Sequence, residues 1–275
     1  MFKHICYLGT PQFAADILLD IKHKVTSVIT MPDKPSGRGY VVQETEVKKM
    51  AILHGLEVFQ PENVSELSEV LEKMKPDLLI AVAYGMIFTP ELVDSYNFIN
   101  IHASLLPKYR GASPIQAPIL NGDKLTGVTL MKIGYKVDDG DIISKKEVVI
   151  EREDNFQTLS RKLQIAGSEL LLEQLEKPHS DWKYLKQDNA QASFTKKISK
   201  EDGCVDLKKD IPESIIRKLK AYTLWPGVFT VTAEKKRVKI LSADIVEGKL
   251  EIKKLQMEGK REVSYAEFVS AYGEL

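Results

Sequence analysis

Across roughly the first hundred residues, short apolar runs rich in β-branched side chains alternate with helix-patterned stretches, and this alternation restricts the fold more than any other feature. The runs HICYLG, KVTSVIT, LEVFQ, DLLIAVA and NFINIH are separated by segments at 11–21, 47–54 and 64–74 whose apolar positions recur at helical spacing. Strands that are apolar throughout expect cover on both faces, and strand–helix alternation supplies it through βαβ units built on a parallel sheet. The expected fold is therefore α/β: a Rossmann-like domain with a mostly parallel sheet.

The pattern is less regular further on. Residues 32–39 hold two prolines and two glycines and read as an irregular loop. Ser113, Pro114 and Gln116 offer a cap, a first-turn proline and a capping-box return, so a helix is expected from there to the turn Asn121-Gly122-Asp123. TGVTLMKIG and DIISKKEVVI read as two strands joined by an aspartate-rich loop. Phe156, Leu159, Leu163, Ala166 and Leu170 alternate three- and four-residue spacings, which predicts an amphipathic helix over 154–177. The stretch PHSDWKYLKQDNAQAS has no period and reads as a surface linker. One helix (211–221), the strands GVFTVTAE, RVKILSADIV and KLEIKKLQ, and a last helix near 265–272 suggest a small β-rich domain. The expected division is a domain over 1–177, a linker over 178–196 and a second domain over 197–275.

Composition excludes several classes of function. The 275 residues carry 39 Lys or Arg against 39 Asp or Glu, a formal net charge of zero, which argues against a protein that grips nucleic acid with its whole surface. Basic residues between Lys208 and Arg261 nevertheless outnumber acidic ones, leaving room for a local patch. No apolar window reaches the ~18 residues of a spanning helix, and MFKHICYLGT enters a strand rather than a signal-peptide pattern, so a cytoplasmic location is expected. Cys6 and Cys204 have no ligand or disulfide spacing, and Cys6 reads as a small buried hydrophobe. The first βα turn, Gly9-Thr10-Pro11, lacks the GxGxxG of dinucleotide sites, no phosphate-binding GxxxxGK[ST] occurs, and Gly9 reads as a turn residue.

Chemistry concentrates after the last strand of the alternating region. Asn100 and His102 lie two apart on an extended segment, so an amide and an imidazole share one face where a strand ends, the usual place for a site in an open α/β sheet. The later loop Val137-Asp138-Asp139-Gly140-Asp141 supplies carboxylates able to approach them. Spacing alone leaves the bland alternative open, since a lone strand-end histidine is often a surface residue and acids before a glycine are often a turn.

The run NIHASLLPKYRGASPIQAPILNGDKLTGVTLMKIGYKVDDGDII resembles the signature of the 10-formyltetrahydrofolate-dependent formyltransferases, N-x-H, then S-L-L-P, then D-x-G-[DP]. Within them, YLGTPQFA, PDKPSGRG, LEVFQPENV, RGASPIQ, ISKEDGCVDL and AYTLWPGVF are similar to the methionyl-tRNA formyltransferases, a likeness covering nearly the whole chain. The resemblance implies transfer of a formyl group from 10-formyltetrahydrofolate to the amino group of methionyl initiator tRNA, without a metal and by a chain expected to be monomeric. It implies Asn100, His102 and Asp138 as the catalytic trio, Asp138 because it alone fills the first place of D-x-G-D. Ser104, Leu105, Leu106 and Pro107 are implied on the folate side, with the pterin against the backbone of Ala83, Tyr84 and Gly85. The loop PDKPSGRG, with Lys34 and Arg38, is implied to meet the tRNA, and the second domain to be an OB-like β-barrel.

The reaction explains these residue types. Attack of an amine on the formyl carbon builds negative charge on the carbonyl oxygen, which Asn100 and a protonated His102 would stabilise, while Asp138 orients His102 and balances its charge. This sequence departs from the family in two places: Tyr40, Val41 and Val42 stand where basic residues are usual, and the second domain is short around 245–249. A sugar-nucleotide N-formyltransferase would keep the same trio, but PDKPSGRG and the basic tail count against it.

Overall fold

The computed structural model describes residues 2–36, 41–232 and 235–275. They divide into two compact units, the first comprising Met1–Gly111, Thr126–Val148 and Arg161–Phe194, the second Ala112–Leu125, Val149–Ser160 and Thr195–Leu275.

The first unit is built on the alternation read from the sequence. Its elements begin with β1 (Ile5–Gly9), α1 (Gln12–Ile21), β2 (Ser27–Ile29), β3 (Lys34–Ser36), β4 (Val41–Gln43), α2 (Glu46–Leu53) and β5 (Glu57–Phe59). Then come α3 (Val64–Met74), β6 (Leu78–Val82), α4 (Pro90–Ser95), β7 (Phe98–His102) and β8 (Arg110–Gly111). After α5 (Gln116–Asn121), the chain continues through β9 (Leu125–Lys132), β10 (Ile142–Val149) and α6 (Phe156–Leu175). Seven strands form one sheet in the order β10-β9-β7-β6-β1-β2-β5. β2, β5, β6 and β7 run parallel to their neighbours around β1, and β9 joins β7 antiparallel, so the sheet is mostly parallel as expected.

Every residue of β1 and of β6 is buried, as strands covered on both faces must be. α1 lays Ala14, Ala15, Ile17, Leu18 and Ile21 inward. α3 starts where Asn63 accepts from the Glu66 amide at 3.1 Å and ends at Lys75, in the left-handed region at φ 48°. Cys6 is fully buried and its thiol is pushed up to about 12 by desolvation, which leaves it a packing residue. Gly9 serves close packing rather than a turn: it lies inside β1, and an added Cβ would stand 2.7 Å from that of Ala14.

Some expectations needed correction. Part of the supposed irregular loop at 32–39 is the strand β3, which pairs antiparallel with β4 from Lys34↔Gln43 to Ser36↔Val41. The sequence reading also missed α4, which Thr89 and Pro90 start as cap and first residue. Ser113 does not cap a helix: α5 starts at Gln116, because the Ser113 hydroxyl donates to the Lys196 carbonyl at 2.9 Å and its amide donates to Thr195 Oγ1 at 3.0 Å.

The second unit adds α7 (Pro212–Ala221), four further strands and a last helix to α5. After β11 (Phe194–Thr195), the strands β12 (Val228–Val231), β13 (Arg237–Val246), β14 (Lys249–Met257) and β15 (Glu262–Ser264) make a consecutive antiparallel sheet, and α8 (Tyr265–Tyr272) begins with a Ser264–Glu267 capping box. Among the described residues β15 does not pair back onto β12, whose Phe229 instead forms a parallel bridge with Cys204. β13 passes into β14 through Glu247 and Gly248 alone, with φ 49° and 77°, the two left-handed residues that a tight hairpin demands. This turn occupies the place where the sequence reads as shortened. α5 packs on α7, with the Arg217 guanidinium against Gly122. Trp225 is 50% exposed beside Leu224.

Candidate active site

β7 is an interior strand of the sheet: Asn100 is paired on both sides, opposite Ala81 and Met131, and His102 lies opposite Thr129 of β9. Asn100 is half-buried, and its carboxamide makes no hydrogen bond to the described residues. His102 is buried, with 6% of its side chain exposed, and its two ring nitrogens face different groups. Nε2 lies 2.9 Å from the Tyr109 carbonyl, which can only accept, and Nδ1 lies 3.6 Å from Asp138 Oδ2, just beyond hydrogen-bond range.

The chain after β7 turns back through a short, internally bonded loop. Ser104 is fully buried and donates its hydroxyl to the Lys108 carbonyl at 2.6 Å. Thr129, also fully buried, donates to the Ser104 carbonyl at 2.7 Å and accepts from the Leu106 amide at 3.1 Å. Leu106 packs with Met131 and Ile142, Leu105 lies against Gly127, and Leu105 and Pro107 are half-buried. Lys145 donates to the Leu106 carbonyl, and partial burial lowers the pKa of its ammonium.

The three neighbouring aspartates have different surroundings. Asp138 sits at φ 51°, in the left-handed region, and its Oδ2 accepts from the Gly111 amide at 2.8 Å while facing His102. Asp139 instead accepts from the Lys136 amide at 3.1 Å and so closes its own turn. The Asp141 carbonyl accepts from the Lys132 amide at 2.9 Å, continuing the sheet edge. Gly140 permits the fold of this turn, since a Cβ there would stand 1.8 Å from the Lys132 carbonyl oxygen.

Near the end of β6, Ala83 and Gly85 are exposed with φ 47° and 83°. The Tyr84 ring between them is buried and stacks on Phe88 with centroids 6.0 Å apart. The three named as a pterin contact are thus two exposed backbone positions around a ring turned into the core. Of the residues named for tRNA, Lys34 is exposed on β3, and Arg38 lies outside the described residues.

The family described as "Formyl transferase" matches residues 4–175, and "Formyl transferase, C-terminal domain" matches 197–249. The chain belongs to the formyl transferase family. A methionyl-tRNA formyltransferase from Sulfurihydrogenibium sp. (strain YO3AOP1) is 40% identical over 257 residues, covering 90% of this chain and 81% of that protein. Among solved structures, the methionyl-tRNA formyltransferase from Clostridium thermocellum superposes with TM-score 0.65 at 17% identity, covering 92% of this chain and 98% of that one. HypX from Aquifex aeolicus, in complex with tetrahydrofolic acid, gives TM-score 0.68 at 18% identity. The match takes in 97% of this chain but only 46% of HypX, so the chain spans about half that protein's length. At these identities the two structures speak for the fold alone.

Within this formyl transferase, sequence reasoning named Asn100, His102 and Asp138 but missed groups that hold the last two: the Tyr109 carbonyl, the Gly111 amide and Gln187. Two of these act through the main chain, which no side-chain motif records. Among the described residues no group of three His, Cys, Asp or Glu is placed to hold a metal ion, and no helix is long and apolar enough to cross a membrane.

Proposed function

We propose that this chain transfers the formyl group of 10-formyltetrahydrofolate to the amino group of methionyl initiator tRNA, acting in the cytoplasm as a monomer. The observation that carries the reading is the approach of Asp138 to a buried His102 at the end of the strand that also presents Asn100. The 40% identity to a methionyl-tRNA formyltransferase selects the acceptor over a nucleotide-linked amino sugar.

Each residue then has a role. Asn100, with its carboxamide uncommitted among the described residues, donates to the formyl oxygen as negative charge builds there; loss of one such donor costs roughly 3 to 4 kcal/mol of barrier lowering. His102, with its ring nitrogens facing the Tyr109 carbonyl and Asp138, assists proton transfer from the attacking amine to the departing folate nitrogen. Asp138 orients the imidazole and balances its charge.

The exposed backbone at Ala83 and Gly85 fits the amide edge of a pterin, because these peptide groups lie outside the regular strands and helices. Ser104 and Leu106 support the folate side from beneath, their polar groups being engaged internally, while the half-buried Leu105 and Pro107 line it. We assign catalysis and folate binding to residues 1–177, a connecting role to 178–196 and tRNA contacts to 197–275 together with Lys34 and Arg38. A formyl-transfer assay that compares initiator with elongator methionyl-tRNA tests the proposal. The expected result is formylmethionyl product with preference for the initiator; product on a nucleotide-linked amino sugar and none on tRNA would overturn it.

A further inference from the structure

The segment between α6 and β11 has no hydrophobic period, and most of its side chains are exposed; Gln187 is half-buried between exposed Lys186 and exposed Asp188. Its carboxamide is used at both ends. Nε2 donates to the Asp138 carbonyl and to the Gly140 carbonyl, each at 2.8 Å, so both of its hydrogens are committed. Oε1 accepts from Arg110 Nε at 3.0 Å and from Arg110 Nη2 at 2.7 Å. The Arg110 side chain is itself buried, and its Nη2 also donates to Asn189 Oδ1 at 2.9 Å.

These bonds meet on the two pieces of chain that frame His102. On one side, Asp138 holds a left-handed backbone that costs energy in any residue but glycine, and its own carbonyl is one of the two that Gln187 grips. On the other, Arg110 stands between Tyr109, whose carbonyl meets Nε2 of His102, and Gly111, whose amide meets the Asp138 carboxylate. One amide group therefore ties the carboxylate loop to the segment that holds the far edge of the imidazole. We propose that Gln187 is a positioning residue for formyl transfer, its carboxamide joining the Asp138–Gly140 main chain to Arg110 and so fixing the Asp138 carboxylate against His102. The proposal rests on the reaction assigned above.

The amide has a donor half and an acceptor half, and substitutions separate them. Gln187→Glu keeps oxygen for Arg110 but places a second acceptor, with negative charge, before two carbonyls that need a donor. Gln187→Ala removes both halves without adding charge. If Gln187 positions Asp138, Q187E is the more damaged of the two: kcat falls about a hundredfold in Q187E and about tenfold in Q187A, with both KM values within about threefold of the parent. If Gln187 only anchors Arg110, the order reverses, because Q187E retains that anchor. Greater activity in Q187E than in Q187A, or kcat within twofold of the parent in both, overturns the proposal.

A second readout needs no acceptor. The imidazole nitrogen resonances of His102, assigned by their loss in His102→Asn, should move in Q187E while the other histidines stay in place. Unmoved His102 signals in a folded Q187E protein overturn the proposal. Should the parent chain fail to formylate methionyl-tRNA, the functional reading falls, and the movement or constancy of these signals still decides whether Gln187 holds Asp138.

Discussion

Thr129→Val replaces one buried hydroxyl by a methyl of nearly the same size and removes two hydrogen bonds beneath the loop after β7. The hydroxyl now donates to the Ser104 carbonyl at 2.7 Å and accepts from the Leu106 amide at 3.1 Å, in a side chain with no exposed surface. Stranding the Leu106 amide costs about 1 to 3 kcal/mol, and loss of the second bond costs about 1 kcal/mol more. Burying one more methyl returns about 0.8 kcal/mol, so the net loss is about 2 kcal/mol. Thr129→Ser keeps both bonds, loses only the methyl, and should cost about 1 kcal/mol. Hydrogen exchange of the Leu106 amide reads the difference at the bond itself: a 2 kcal/mol loss corresponds to about thirtyfold faster exchange in T129V, with a several-fold effect in T129S. The reasoning is refuted if the two variants exchange alike, or if T129V matches the parent.

Other consequences are open to measurement. His102→Ala and Asp138→Asn should each lower turnover by at least about a hundredfold in single-turnover formyl transfer, with circular dichroism unchanged. Gly140→Ala must displace the aspartate loop, since its Cβ would meet the Lys132 carbonyl at 1.8 Å; a lower melting temperature together with loss of turnover is expected, and a fully active variant would show that the loop adapts. Asp202 accepts from the Ser199 amide at 2.7 Å and from Lys196 Nζ at 2.6 Å, and its carboxyl is held down to about 2, chiefly by Lys196. A depressed carboxylate stabilises the fold above its unfolded value, near 3.8, and that stability is lost as pH falls from there through about 2. Thermal melts of Asp202→Asn should therefore show a deficit at neutral pH of about 1 kcal/mol, reduced by solvent around the exposed Lys196, that shrinks as pH falls below 3.8 and closes near about pH 2.

The elements with strong periodicity were legible: apolar runs became β1, β6 and β7, and the long amphipathic pattern became α6. N-x-H and D-x-G-D were legible as motifs because they carry residue identities, and the structure sets His102 of the one 3.6 Å from Asp138 of the other. What escaped reading depends on distant partners. Ser113 had every local sign of a cap, but a bond to the Lys196 carbonyl, 83 residues away in sequence, took its hydroxyl. Gln187 sits in a run without period, and its bonds to Asp138 and Arg110 span 49 and 77 residues.

The chain passes between its two units at Gly111/Ala112, Leu125/Thr126, Val148/Val149, Ser160/Arg161 and Phe194/Thr195. In the second unit Arg217 on α7 reaches the Asn121 carbonyl at the end of α5, 96 residues earlier. During synthesis α5 therefore leaves the ribosome long before the helix that covers it, with Pro118 and Ile119 waiting for their cover. A fragment that starts at Thr195 would lack α5 altogether. Severing the segment between α6 and β11 by protease would nick the protein without freeing an intact second half, and refolding after denaturation must await the closure of long loops.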